Sequence, residues 1–115
     1  MSARSPITTH ALDTRSGKPA QGLPITLLSQ VDSTWVKLSS GITNADGRIT
    51  DLLEPGSLKP GLYQMHFDTE TYHKRQNVTG FYPEVVITFE IKQIDEHYHI
   101  PLLLSPYGYS TYRGS

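Results

Sequence analysis

Along this chain, hydrophobic positions recur with a period of two rather than 3.6, the mark of strands with one buried face. Ile7 to Leu12 alternates imperfectly and sets His10 on the face shared by Thr8 and Leu12. Leu23 to Leu28 puts Leu23, Ile25 and Leu27 together. Trp35 to Ile42 turns Val36, Leu38 and Ile42 one way and Trp35 and Lys37 the other. Gly61 to Asp68 groups Tyr63, Met65 and Phe67, with Gln64, His66 and Asp68 opposite. Val85 to Ile91 buries Val85, Ile87, Phe89 and Ile91, with Glu84, Val86, Thr88 and Glu90 on the other face. His97 to Leu104 follows, then a Pro-led turn at Ser105-Pro106-Tyr107 and a second short strand that carries the terminal Tyr112-Arg113-Gly114-Ser115.

Between these runs lie turn formers. Thr14 to Gly22 is a loop, and Glu54 to Pro60 is another. Asp46-Gly47 is a strong turn signal, because Gly accepts positive φ without penalty, and it places Arg48 at the start of the returning strand. One segment breaks the period. Asp68 to Asn77 begins with a capping residue and runs from acid to base, which predicts a helix of two or three turns. Seven or eight short strands and one helix predict an all-β fold, an antiparallel β-sandwich.

At 115 residues the chain reads as one domain spanning 1–115, with residues 1–6 expected as a flexible N-terminus. Cys is absent, which excludes disulfides, thiolate nucleophiles and Cys-based zinc sites. The charge is balanced, 10 Lys+Arg against 11 Asp+Glu, and no basic run exceeds Lys74-Arg75, which argues against a nucleic-acid partner. No apolar run approaches a membrane span, and the N-terminus lacks the apolar centre of a secretory signal. The expected location is therefore the cytoplasm, or the peroxisome in a eukaryote.

Five histidines stand out: His10, His66, His73, His97 and His99. Imidazole titrates near neutrality and is the natural proton carrier. His97 and His99 lie two apart on a strand and share a face, with Tyr98, Ile100, Leu102 and Leu104 on the other. With His10 as a third ligand they would suit zinc, although the commoner outcome for such a pair is a surface or hydrogen-bonded one. His66 and His73 are expected at the surface. Arg48, held by a rigid turn, would suit a planar, oxygen-rich ligand. No Gly-rich phosphate loop, nucleophile elbow or carboxylate pair is present.

Four stretches together resemble the transthyretin-like family, and specifically its enzymatic branch, which acts on 5-hydroxyisourate. They are Ile7-Thr8-Thr9-His10-Ala11-Leu12-Asp13 with Gly17-Lys18-Pro19-Ala20; Thr43-Asn44-Ala45-Asp46-Gly47-Arg48; Tyr98-His99-Ile100-Pro101-Leu102-Leu103-Leu104-Ser105-Pro106; and Ser110-Thr111-Tyr112-Arg113-Gly114-Ser115. The tail is the most specific, since hormone-carrying transthyretins share Leu-Leu-Ser-Pro-Tyr but not the Tyr-Arg-Gly-Ser ending. Gly108, where relatives often have Ser, is one small departure.

The resemblance implies two four-stranded sheets with one short helix, and a homotetramer, a dimer of dimers with sites at the ends of a central channel. It implies hydrolysis of 5-hydroxyisourate to 2-oxo-4-hydroxy-4-carboxy-5-ureidoimidazoline in urate degradation, a step of purine catabolism, with no metal and no organic cofactor. The residues it carries over as catalytic are His10, Arg48, His99 and Ser115. Those that would bind substrate are His10, Arg48, Tyr112, Arg113 and Gly114. A non-catalytic small-ligand carrier on the same fold remains the alternative, because a fold alone does not settle function. A zinc hydrolase and a plain interaction module are further readings.

Overall fold

The computed structural model describes residues 4–115. Nine strands and one helix run in the order β1 (Ile7–Asp13), β2 (Lys18–Pro19), β3 (Pro24–Val31), β4 (Thr34–Ile42), β5 (Arg48–Ile49), β6 (Gly61–Phe67), α1 (Thr69–Lys74), β7 (Val85–Ile91), β8 (Tyr98–Ser105) and β9 (Gly108–Thr111). They form two sheets. One has the order β2-β1-β8-β9, with the short β5 also paired to β1, and the other the order β4-β3-β6-β7. The expected β-sandwich is thus present, with one pairing that alternation alone does not reveal: β1 and β8 run parallel, with Thr8 opposite His99.

The core is where the apolar faces meet. Ile7 and Ala11 of β1, Leu102 and Leu104 of β8, Ile25 and Leu27 of β3, Met65 and Phe67 of β6 are all within 1% of complete burial. Burying a large aliphatic or aromatic side chain contributes about 1.5–3 kcal/mol, so this interleaved set is the main stabilising term. Thr8 and His10 of β1, His99 of β8 and His97 just before it lie on the other, partly exposed side of the same sheet.

Two local expectations are corrected, and the covered face of β4, which alternation left open, is decided. The apolar face of β4 is not a core face: Val36, Leu38 and Ile42 are exposed, 41–59% accessible, and Trp35 is half-buried on the other side. The strand lies at the sheet edge, where periodicity defines two faces without saying which one is covered. The helix is shorter than Asp68–Asn77: Asp68 caps it by accepting the Thr71 N–H at 3.1 Å, and the chain leaves it after Lys74, with Asn77 at φ 56°. His73 is not at the surface but 4% exposed, because α1 turns Thr69, Tyr72 and His73 inward. A Cβ on Gly80 would stand 2.7 Å from its Cδ2. His66 is half-buried and donates from Nε2 to Gln64 Oε1 at 2.9 Å.

Of the N-terminal stretch expected to be flexible, residues 1–3 lie outside the described residues. Ser5 is held in place: it is 3% exposed, and its hydroxyl donates to Ile7 O at 2.6 Å and accepts from Leu53 N at 3.0 Å. Among the described residues no helix is long and apolar enough to cross a membrane.

Candidate active site

The outward face of β1 and β8 is where the chemistry collects. Because the two strands are parallel and in register at Thr8 and His99, Thr8 and His10 of one lie beside His97 and His99 of the other. The Thr8 hydroxyl sits between two imidazoles, 2.8 Å from His99 Nδ1 and 2.9 Å from His97 Nε2. The rings of His10 and His99 tilt at 34° with centroids 6.5 Å apart.

Arg48 arrives from the other side of β1. Asn44 Oδ1 accepts the backbone N–H of both Asp46 and Arg48, at 2.9 and 3.0 Å, and Gly47 takes φ 74° to close the turn. The Gly47 carbonyl then accepts Ala11 N–H at 2.8 Å, and β5 pairs His10 with Arg48. A side chain on Gly47 would run into the Ala11 carbonyl, so glycine is required both by φ and by space. This local turn is what the Asp-Gly signal predicts, and it brings the Arg48 guanidinium to the histidines.

A cavity of about 230 Å³ lies here, lined by Arg4, Thr8, Thr9, Arg48, Thr50, His97, His99 and Ser115. Its charged or titratable side chains are all guanidinium or imidazole. His99 is held below the ordinary imidazole range by burial first, then by the charges of Arg48, His10, His97 and Arg4. Burial also pushes His97 down, with Arg4 adding to the effect. Both rings are therefore neutral near pH 7, the form that can take a proton.

The tail is split. Gly114 donates its N–H to His99 O at 2.9 Å and lies flat against that imidazole, while Ser115 reaches the cavity wall. Tyr112 and Arg113, expected to bind substrate, are not brought to this cavity. They border a neighbouring hollow of about 280 Å³ with Ile87, Phe89, Tyr98 and the other side of His99, which the two hollows share. The Arg113 guanidinium is occupied there, 2.9 Å from Glu96 Oε1 and 4.5 Å over the Tyr98 ring. Tyr112 is 59% exposed.

Of the expected residues, then, the structure gathers His10, Arg48, His99, Gly114 and Ser115. It adds Thr8, Arg4 and Thr50, which the sequence did not single out as site residues. The signal for Thr8 was its place two residues before His10 on one face. His97 enters as a hydrogen-bond partner of Thr8 rather than as a metal ligand. Among the described residues no group of three or more His, Cys, Asp or Glu is arranged to hold a metal ion.

Comparison with known proteins agrees with this frame. The model of the HIUase/Transthyretin family matches residues 7–114. A 5-hydroxyisourate hydrolase from Mus musculus is 50% identical over 113 residues, covering 96% of each chain. One from Salmonella dublin is 44% identical over 109 residues, covering 95% of this chain and 80% of its own. Among solved structures, sea bream transthyretin in complex with thyroxine superposes with a TM-score of 0.89 at 29% identity, covering 96% of this chain and 95% of its own. The chain belongs to the HIUase/Transthyretin family.

Proposed function

We propose that this protein hydrolyses 5-hydroxyisourate, as a step of urate degradation. The observation that carries the reading is the join of two facts. The chain is 50% identical to an enzyme of that name, and His99 and Arg48 line one small cavity with the His10 ring 6.5 Å from that of His99. Opening a cyclic amide needs an activated water, a donor for the oxyanion and a proton for the departing nitrogen. His10 and His99 are the imidazoles placed to transfer protons. Arg48 stabilises the negative charge that grows on the carbonyl oxygen, where a fixed cation is worth most. The cationic lining of Arg4 and Arg48 suits an oxygen-rich heterocycle. Ser115 and Gly114 close the wall beside His99. Tyr112 and Arg113, turned to the next hollow, are assigned no substrate contact within this subunit.

A carrier of an apolar ligand would gain nothing from placing two imidazoles and a guanidinium around so polar a site, which favours the hydrolase over the alternative. We also propose a homotetramer. Tyr107, Phe81 and Ile42 are 72%, 68% and 59% exposed, apolar surface that association would cover. Light scattering should then report about four times the 12.9 kDa chain.

The test of function is direct. Freshly made 5-hydroxyisourate, followed by absorbance, should decay much faster with the protein than in buffer. An unchanged decay would return the chain to the carrier reading.

A further inference from the structure

Resting on the hydrolase reading, one inference goes further: which imidazole takes the proton from water, and what makes it able to. Thr8 Oγ1 has a single hydrogen and lies within hydrogen-bond distance of two ring nitrogens, His97 Nε2 and His99 Nδ1. It can donate to only one of them, so the other must be an N–H that donates to Thr8. The three groups therefore form a directed chain with two arrangements. In one, His97 donates and His99 is left with its proton on Nε2, unable to accept. In the other, His99 donates from Nδ1 and keeps a free electron pair on Nε2.

The far end of the chain selects between them. His97 Nδ1 is buried, and no group among the described residues meets hydrogen-bond geometry with it. Burial first, and then the Arg4 charge, keeps this ring neutral, while the Ser5 backbone favours a proton on it; with Nε2 engaged by Thr8, Nδ1 is the ring nitrogen left for that backbone acceptor. A bare electron pair at Nδ1 would face that acceptor and repel it. An N–H there is attracted even at imperfect geometry. With the proton on Nδ1, neutral His97 presents Nε2 as an acceptor. Thr8 then donates to His97 and accepts the Nδ1–H of His99.

We infer that Thr8 and His97 are positioning residues that lock His99 as its Nδ1–H tautomer and so make His99 Nε2 the general base. Water gives its proton to His99 Nε2 as its oxygen bonds to the carbonyl carbon. That proton passes to the leaving nitrogen as the C–N bond breaks, which returns His99 to its starting form. Arg48, His10, His97 and Arg4 are the charged or titratable groups that act on this ring, and all of them favour its neutral state.

The experiment labels histidine with ¹⁵N in the full chain and reads ring tautomers by long-range ¹H–¹⁵N correlation above the acid limb. His97 and His99 should each show a protonated Nδ1 and an unprotonated Nε2. Thr8→Val, which keeps the shape and removes the hydroxyl, should release His99 into a tautomer mixture and lower kcat for 5-hydroxyisourate roughly a hundredfold, the low end of what a positioned base supplies, with KM little changed. Thr8→Ser should restore both readouts. A wild-type His99 protonated on Nε2 overturns the inference, as does a Thr8→Val protein with unaltered tautomer and kcat. Should Thr8→Val not fold, the wild-type spectrum still decides. Should the protein not turn over 5-hydroxyisourate, the hydrolase reading falls on the assay while the tautomer is judged by the spectrum alone.

Discussion

Gly114 lies so close against His99 that a Cβ at Gly114 would stand 2.5 Å from His99 Cδ2 and 3.2 Å from Cγ. The tail and the imidazole therefore fix one another. The backbone bond from Gly114 N to His99 O clamps the tail, and the missing side chain leaves room for the ring.

Gly114→Ala should consequently move either the ring or the tail. Activity on 5-hydroxyisourate is expected to fall on the order of a hundredfold, the scale of loss from a misplacement of about 1 Å. The melting temperature should change little, because the core faces of the sheets are untouched. Steady-state kinetics beside a thermal melt checks both, and full activity in the Ala variant would detach the tail from the site.

Arg48 gives a second test. Arg48→Ala is expected to lower turnover by roughly a hundredfold or more, and Arg48→Lys to rescue it poorly, since a point charge does not reproduce the planar fork. The same change removes a positive charge that, after burial, holds His99 down. The acid limb of kcat/KM should then move to higher pH in Arg48→Ala. A limb that stays in place would separate Arg48 from His99.

Acid stability follows from three histidines. Burial is the largest cause lowering His73, His97 and His99 below their ordinary 6.5, so each holds its proton more weakly folded than unfolded. Below 6.5 the unfolded chain binds more protons, and stability must fall as pH falls. Urea midpoints measured downward from pH 7.5 should decline through that window. His73→Gln, remote from the cavity, should flatten the decline; a pH-independent midpoint would contradict the burial of these rings.

Tyr72 and Asp13 carry the last prediction. The Tyr72 hydroxyl donates to Asp13 Oδ2 at 2.6 Å within the core, and burial first, then this bond, raises the phenol to about 12. Tyr72→Phe leaves that carboxylate oxygen buried without its donor, at a cost of about 1–3 kcal/mol. Denaturant unfolding should show the loss, while kcat on 5-hydroxyisourate stays as in the parent. An unchanged midpoint would mean that solvent reaches Asp13.

Much of this protein was settled by local order in the chain. Period-two alternation laid out the long strands, and the outward face of His97 to Leu104 already paired His97 with His99. The Asp46-Gly47 turn set Arg48 at the head of β5, since the rule for positive φ acts within a few residues. Alternation could not say that Val36 and Leu38 stay exposed, because a strand has two faces and only its neighbours decide which is covered. Nor could it find the inward turn of His73, which depends on how a six-residue helix packs. Above all, the Thr8 to His99 contact joins residues 91 apart through a parallel pairing of β1 with β8. No local propensity encodes that register. It is fixed by the common burial of Ile7, Ala11, Leu102 and Leu104 on the core side, which leaves Thr8, His97 and His99 together on the other.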